Sequence, residues 1–322
     1  MLVIAGLLVY AVLIGGPLAA RLARADWVSR HPQAALRLWH ACALGMLTSV
    51  TGALVLAAHD LWEHGMVWLF HADKPLIHAA YGGTWQARGM ADAALLVLLL
   101  GAGGLSAIAV RRFVRVSRER DRYRLTADAQ GSHDRDGDPS LRVLAHSAPT
   151  VFCIPGAQGR SRIVVTTAAR DLLSPAEYAA TLEHERAHLR LRHHRSMLVA
   201  DILTAALTWT GLLRPYADQV RRLAEMAADD QAARRHGRRT VASALLGMCE
   251  AAPSGVVGGS AAAMTGPDPA ERIRRLIAPS AVSPSPLAGA LVSAAAVASF
   301  LLPAALALAP AVLLFGTAHI GG

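Results

Sequence analysis

The segment His184-Glu185-Arg186-Ala187-His188 sets two imidazoles four residues apart. On a helix, residues i and i+4 share a face, so both rings can reach one ion. This is the H-E-x-x-H pattern, in which the two histidines bind Zn2+ and the glutamate takes a proton from water. Zinc lowers the pKa of water to roughly 7, so hydroxide is available near neutral pH. The chemistry such a segment can do is hydrolysis, with His184 and His188 as ligands and Glu185 as the catalytic base.

A catalytic zinc site needs a third protein ligand, and two residues compete for it. His194 stands ten residues after His184, the spacing of H-E-x-x-H-x-x-G-x-x-H, but Leu191 occupies the place of the helix-breaking Gly. An unbroken helix carries His194 about 15 Å along the axis, out of reach, and makes His193 and His194 membrane-proximal or surface residues. The second candidate is Glu225, in Glu225-Met226-Ala227-Ala228-Asp229. On a second helix Glu225 would bind the metal, and Asp229, one turn on, would accept the spare N–H of a ligand imidazole. Alone, this pair reads equally well as an exposed acidic face; beside H-E-x-x-H the ligand reading is preferred.

Elements must hold these residues. Ser174-Pro175-Ala176-Glu177 is a helix start, with Ser174 as N-cap, Pro175 at the first position and Glu177 completing a capping box. The helix is expected to run to about His194. Runs 141–146, 150–154 and 162–166 read as short strands, with a hairpin turn over 155–161. Further helices are expected at about 216–236, stopped by Gly237, at 239–251 and at 269–277. The polar stretches 127–140 and 253–266 read as loops.

The chain has 322 residues, 53% of them hydrophobic, and a mean hydropathy of +0.35. The apolar excess sits in blocks at 2–20, 38–58, 93–110 and within 287–315, each long enough to span a bilayer. Pro303 and Pro310 are expected to kink or end the last one. The first block lacks a basic leader and is followed by Arg21 and Arg24, which favours a retained span over a cleaved signal.

Arginines set the orientation. Arg21, Arg24, Arg30 and Arg37 surround the first loop, and seven more lie between 111 and 124. The positive-inside rule then puts the N-terminus and the 59–90 loop outside, 111–286 in the cytoplasm and the C-terminus outside. The loop's Trp62, Trp68 and Trp85 read as interfacial aromatics, and its His64, His71 and His78 as solvated. The expected domains are a three-span membrane domain (1–110), a zinc peptidase domain (111–286) and a last span (287–322).

The same topology accounts for the net charge of +9. With no recognition motif beside the charge, the lipid bilayer is the expected partner and nucleic acid is not. Cys42, Cys153 and Cys249 are odd in number and far apart, so neither a disulfide framework nor a cysteine zinc site is indicated. Residues 197–213 are apolar enough to suggest a fifth span. A single crossing there would part Glu225 from His184, so this segment must be a core helix or must enter the membrane and return.

Taken together, four pieces resemble a known group: Arg162–Thr166, the segment LEHERAH at 182–188, EMAAD at 225–229 and ERIRRL at 271–276. The chain resembles the BlaR/MecR-type membrane metallopeptidases of bacterial beta-lactam antirepressors. It is more distantly similar to the HtpX and CAAX-prenyl-protease families. The resemblance implies an α-helical membrane protein with about four transmembrane helices and a cytoplasmic α+β gluzincin-type zinc peptidase domain. Its sheet would pack on the zinc helices, with Arg162–Thr166 as an edge strand that pairs with an extended protein substrate. It also implies a bacterial plasma membrane and, by analogy, a regulatory substrate. No penicillin-binding sensor follows the fourth block, so a beta-lactam receptor role is not expected. Where HtpX-like proteins carry His before this last motif, Gly266 stands here, which leaves Arg272 and His236 as candidate transition-state donors.

Rival readings are a catalytically silent membrane signalling protein with a vestigial zinc site, and an intramembrane protease of the site-2 type. The intact Glu185 argues against the first. The charged Glu183, Arg186, Arg190, Arg192 and Arg195 around the motif argue against the second.

Overall fold

A computed structural model describes residues 2–58, 88–133, 138–157, 159–251, 268–278 and 286–318. The 59–87 part of the second loop, with its Trp and His residues, lies outside the described residues, as does all of 253–266, Gly266 included.

The apolar blocks form helices that pack as a bundle. α1 (Leu2–Leu13) continues through a π-helical turn around Pro17 into α2 (Ala19–Arg24). A short α3 (Asp26–Arg30) turns the chain into α4 (Pro32–Ala57). The next described helix, α5 (Arg88–Gln130), runs for 43 residues. It continues past the apolar block and through all seven arginines at 111–124, so the expected loop at 127–140 begins only after Gln130. The last described helix, α12 (Pro286–Ala318), is ended by neither Pro303 nor Pro310. Among the described residues, four helices are therefore long and apolar enough to cross a membrane. α4 and α12 run parallel and approach closely at Gly45, where a Cβ would collide with the Ser299 carbonyl oxygen. Within a bilayer, such backbone approach and packing hold helices together, because lipid is as apolar as a leucine side chain.

A small mixed sheet follows α5. Its strands are β1 (Ser132–His133), β2 (Leu141–Leu144), β3 (Val151–Ile154) and β4 (Arg162–Thr166), in the order β1-β2-β4-β3. β3 and β4 form the expected antiparallel hairpin, with Val151 opposite Val165. β4 also pairs in parallel with β2. It is thus an inner strand, and the expectation of β4 as an edge is corrected: β3 and β1 are the edges, and β3 is the one paired with β4. The physical reason is burial. Val164 and Val165 are fully covered and pair on both sides, whereas Phe152 and Cys153 of β3 are partly exposed.

Next come α6 (Thr167–Leu172), α7 (Pro175–Arg190) and α8 (His193–Leu207), then α9 (Tyr216–His236), α10 (Arg238–Glu250) and α11 (Pro269–Ile277). α7 opens with the capping box of Ser174 and Glu177. It stops earlier than expected. Leu191 closes it and Arg192 takes a left-handed conformation, φ 54°. That conformation costs a non-glycine residue about 1 kcal/mol. Burial of His193, Ala200 and Leu203 in the following helix accompanies it.

α8 and α9 form an antiparallel helical hairpin. Its tip uses Gly211 at φ +68°, which suits glycine, and Leu213 at φ 52°, which does not. Leu213 is 1% exposed and donates its N–H to the Gly15 carbonyl of the first span at 2.8 Å. Residues of α1, α4, α8, α9 and α12 share one core. The 197–213 segment therefore enters the helix bundle and returns, and does not cross once.

Candidate metal centre

Two helices from different surroundings meet at the site. α7 rests on the sheet, in a core of Leu141, Val151, Ile163, Val165 and Leu182. α9 has its first half, Tyr216, Val220 and Leu223, in the core shared with the spans. Where they cross, His184 and His188 of α7 face Glu225 of α9.

The three side chains converge on one point. His184 Nε2 and His188 Nε2 are 3.1 Å apart. Glu225 Oε2 is 3.5 Å from His184 Nε2, and its Oε1 is 3.4 Å from His188 Nε2. Tetrahedral zinc ligands at about 2.0–2.1 Å from an ion stand about 3.3 Å from each other. Among the described residues, this is the group of three whose ligand atoms could hold a metal ion. His184 and Glu225 are buried and His188 nearly so.

The outer ring nitrogens explain why the inner ones are free to bind. Asp229 Oδ1 lies 3.1 Å from His184 Nδ1. His193 Nδ1 lies 3.0 Å from His188 Nδ1. At His188 an Nδ1–H donated to His193 leaves Nε2 with a lone pair aimed inward, and the Asp229 carboxylate beside His184 Nδ1 favours the proton on that nitrogen as well. Burial holds His193 neutral, with its pKa lowered to about 3, so it can accept that N–H.

Arg272 sits behind the carboxylates. Its Nε and Nη2 donate to Asp229 at 2.8 and 2.7 Å, and its Nη1 is 3.1 Å from Glu225 Oε2. The residue is 1% exposed. Burial alone would raise the Asp229 carboxyl pKa, but Arg272 and His184 outweigh it and hold the group ionised, below the usual carboxylate range.

Glu185 lies on the same turn as His184 and is buried. Burial raises its pKa to about 7, with His184 opposing the shift and the Cys153 thiol on β3 bonding the carboxylate. Three other charges of the motif's surroundings, Glu183, Arg186 and Arg190, serve the fold. Arg186 pairs with Asp138 at 2.8 Å, and the buried Glu183 takes Arg190 and Arg235 at 2.5 and 2.8 Å.

The model of peptidase family M48 matches residues 117–280, half of the chain and every residue of this centre. The chain belongs to peptidase family M48. Among the described residues it carries four helices long and apolar enough to cross a membrane. It is 31% identical over 67 residues to Protease HtpX homolog 2 of Methanosarcina mazei. That match spans 21% of this chain and 23% of the relative's length. No solved structure matches.

Of the sequence candidates, the structure brings together His184, Glu185, His188, Glu225, Asp229 and Arg272. It does not bring in His236, which ends α9 eleven residues beyond Glu225, about 16 Å of helix rise. His194 is likewise outside the cluster. Sequence reasoning missed His193, expected near a surface but 1% exposed against His188. The signal was the doubled histidine itself. Reading it required a helix break at Leu191-Arg192 that no Gly or Pro announces.

Proposed function

We propose that this M48 chain is a zinc endopeptidase that cleaves a protein substrate beside the membrane. His184, His188 and Glu225 hold the Zn2+, and the observation that carries the reading is their convergence, with Asp229 and His193 on the outer nitrogens of the two rings. Bound zinc supplies a Lewis acid for the scissile carbonyl and lowers the pKa of water. Glu185 takes the proton of the attacking water and delivers it to the leaving amine. A carboxylate with a pKa near 7 suits both halves of that task.

Arg272 acts as a positioning residue. Its donors are already committed to Asp229 and Glu225, which argues against the transition-state role considered for it. The edge strand β3 lies next to Glu185 through Cys153, which supports an extended peptide laid along β3. A regulatory protein remains the proposed substrate class, by the resemblance alone.

For location, we propose a bacterial plasma membrane with the N-terminus outside and the catalytic region, 111–286, in the cytoplasm. Arg275 of α11 donates to the Ser29 carbonyl in the first loop at 2.7 Å. This supports placing the peptidase region on the arginine-bordered face of the spans.

Glu185→Gln tests the mechanism. It keeps the ligands and removes the proton carrier, so zinc content should match the wild type while peptide cleavage falls by about 10²-fold or more. Cleavage at the wild-type rate would reject Glu185 as the base.

A further inference from the structure

Two spans begin side by side. α4 starts at Pro32, and the apolar window of α12 starts at Gly289. Between their first turns and the outer side of α9 lies an open cavity of about 320 Å³. Three arginines line it: Arg30 from the first loop, Arg37 from α4 and Arg234 from α9. None of the three guanidiniums has an ion-pair or hydrogen-bond partner among the described residues. The one acid in the wall, Asp230, is already occupied, with both oxygens 2.7 Å from Arg275.

A fourth source of positive potential is the start of α4. That 26-residue helix has no side-chain cap. Pro32 has no N–H, and the first-turn amides of Gln33 and Ala34, both in the cavity wall, have no helical acceptor. Three unpaired guanidiniums and an open helix N-terminus around one hollow match an anion with several oxygens. Guanidinium forks bind phosphate in a bidentate manner, and helix starts favour the same charge. The depth identifies the source. A cavity walled by the first residues of two spans lies at the level of lipid headgroups, not in bulk water.

We propose that this cavity binds the phosphate of an anionic phospholipid headgroup. An ordinary basic border of a span is convex and attracts lipid phosphates loosely. Here three separate elements close around a hollow, so one lipid is held in place. The bound headgroup joins the start of α4 to α9, whose opposite face carries Glu225 and Asp229. The inference does not depend on what the metal centre does.

The test uses the full chain, delipidated in detergent and placed in nanodiscs of phosphatidylcholine with a minority of phosphatidylglycerol. Native mass spectrometry then counts retained lipids. The wild type should keep phosphatidylglycerol in preference to phosphatidylcholine. Arg37→Gln with Arg234→Gln should weaken that retention roughly 30-fold, at about fivefold per cation. Arg21→Gln with Arg24→Gln removes the same charge outside the cavity and should keep it. All four residues are exposed, and matching elution profiles confirm that each variant is folded. Equal retention in the cavity variant, or equal loss in the control, would overturn the proposal. In a second arm, millimolar inorganic phosphate is added. Failure to displace the lipid supports the headgroup, whereas displacement overturns it in favour of free phosphate.

Discussion

The two helices that make the candidate metal centre are held by different means. α7 is backed by a sheet core of valine, leucine and isoleucine that water can drive together. α9 is backed in its first half by Trp39, Met46 and Leu213, packed among membrane spans. There the hydrophobic effect contributes little and close packing must do the work. Two histidines come from the first setting and one glutamate from the second. A metal bound between them would join the peptidase region to the membrane bundle, so the site reports on both.

The largest expected effect breaks the membrane side of this comparison. Gly45→Leu puts a side chain into the Ser299 backbone across α4 and α12. Overpacking of this kind costs about 1–3 kcal/mol or more. The variant should accumulate poorly in membranes, and what is extracted should have lost zinc as well as bundle packing. Normal zinc in a variant with a disrupted bundle would separate the two regions that the comparison joins.

A smaller effect is expected inside the centre. Asp229→Ala removes the carboxylate beside His184 and the acceptor of two Arg272 hydrogen bonds, so zinc affinity should fall about 10–100-fold and stability should drop by about 3–5 kcal/mol. His193→Ala removes only the partner of His188. Its loss should sit at the lower end, about 10-fold in zinc affinity, with little change in unfolding temperature. Competition with a chromophoric chelator measures both. If His193→Ala proves the more damaging of the two, the positioning roles assigned here are reversed.

Much of this was legible in the residues. The capping box at Ser174, the i, i+4 histidines, the Gly237 stop and the hairpin of β3 and β4 are local signals, and each is present as read. Glu225 was readable because E-x-x-x-D places two carboxylates on one helix face. What local reading missed depends on distant parts of the chain. The break at Arg192 needs a left-handed residue that nothing in Leu-Arg-Leu-Arg favours. The inner position of β4 depends on a parallel partnership with β2 that spans a loop. Tertiary packing, as at Leu213 against Gly15, decides such cases against local preference.

The central claim is that α9, seated in the membrane bundle, supplies the third ligand. It is tested by zinc per chain in Glu225→Ala and His194→Ala, each purified in detergent and dialysed against a weak chelator. The account predicts an empty or nearly empty Glu225→Ala protein and a His194→Ala protein with the wild-type content. A full Glu225→Ala site together with an empty His194→Ala site would contradict it.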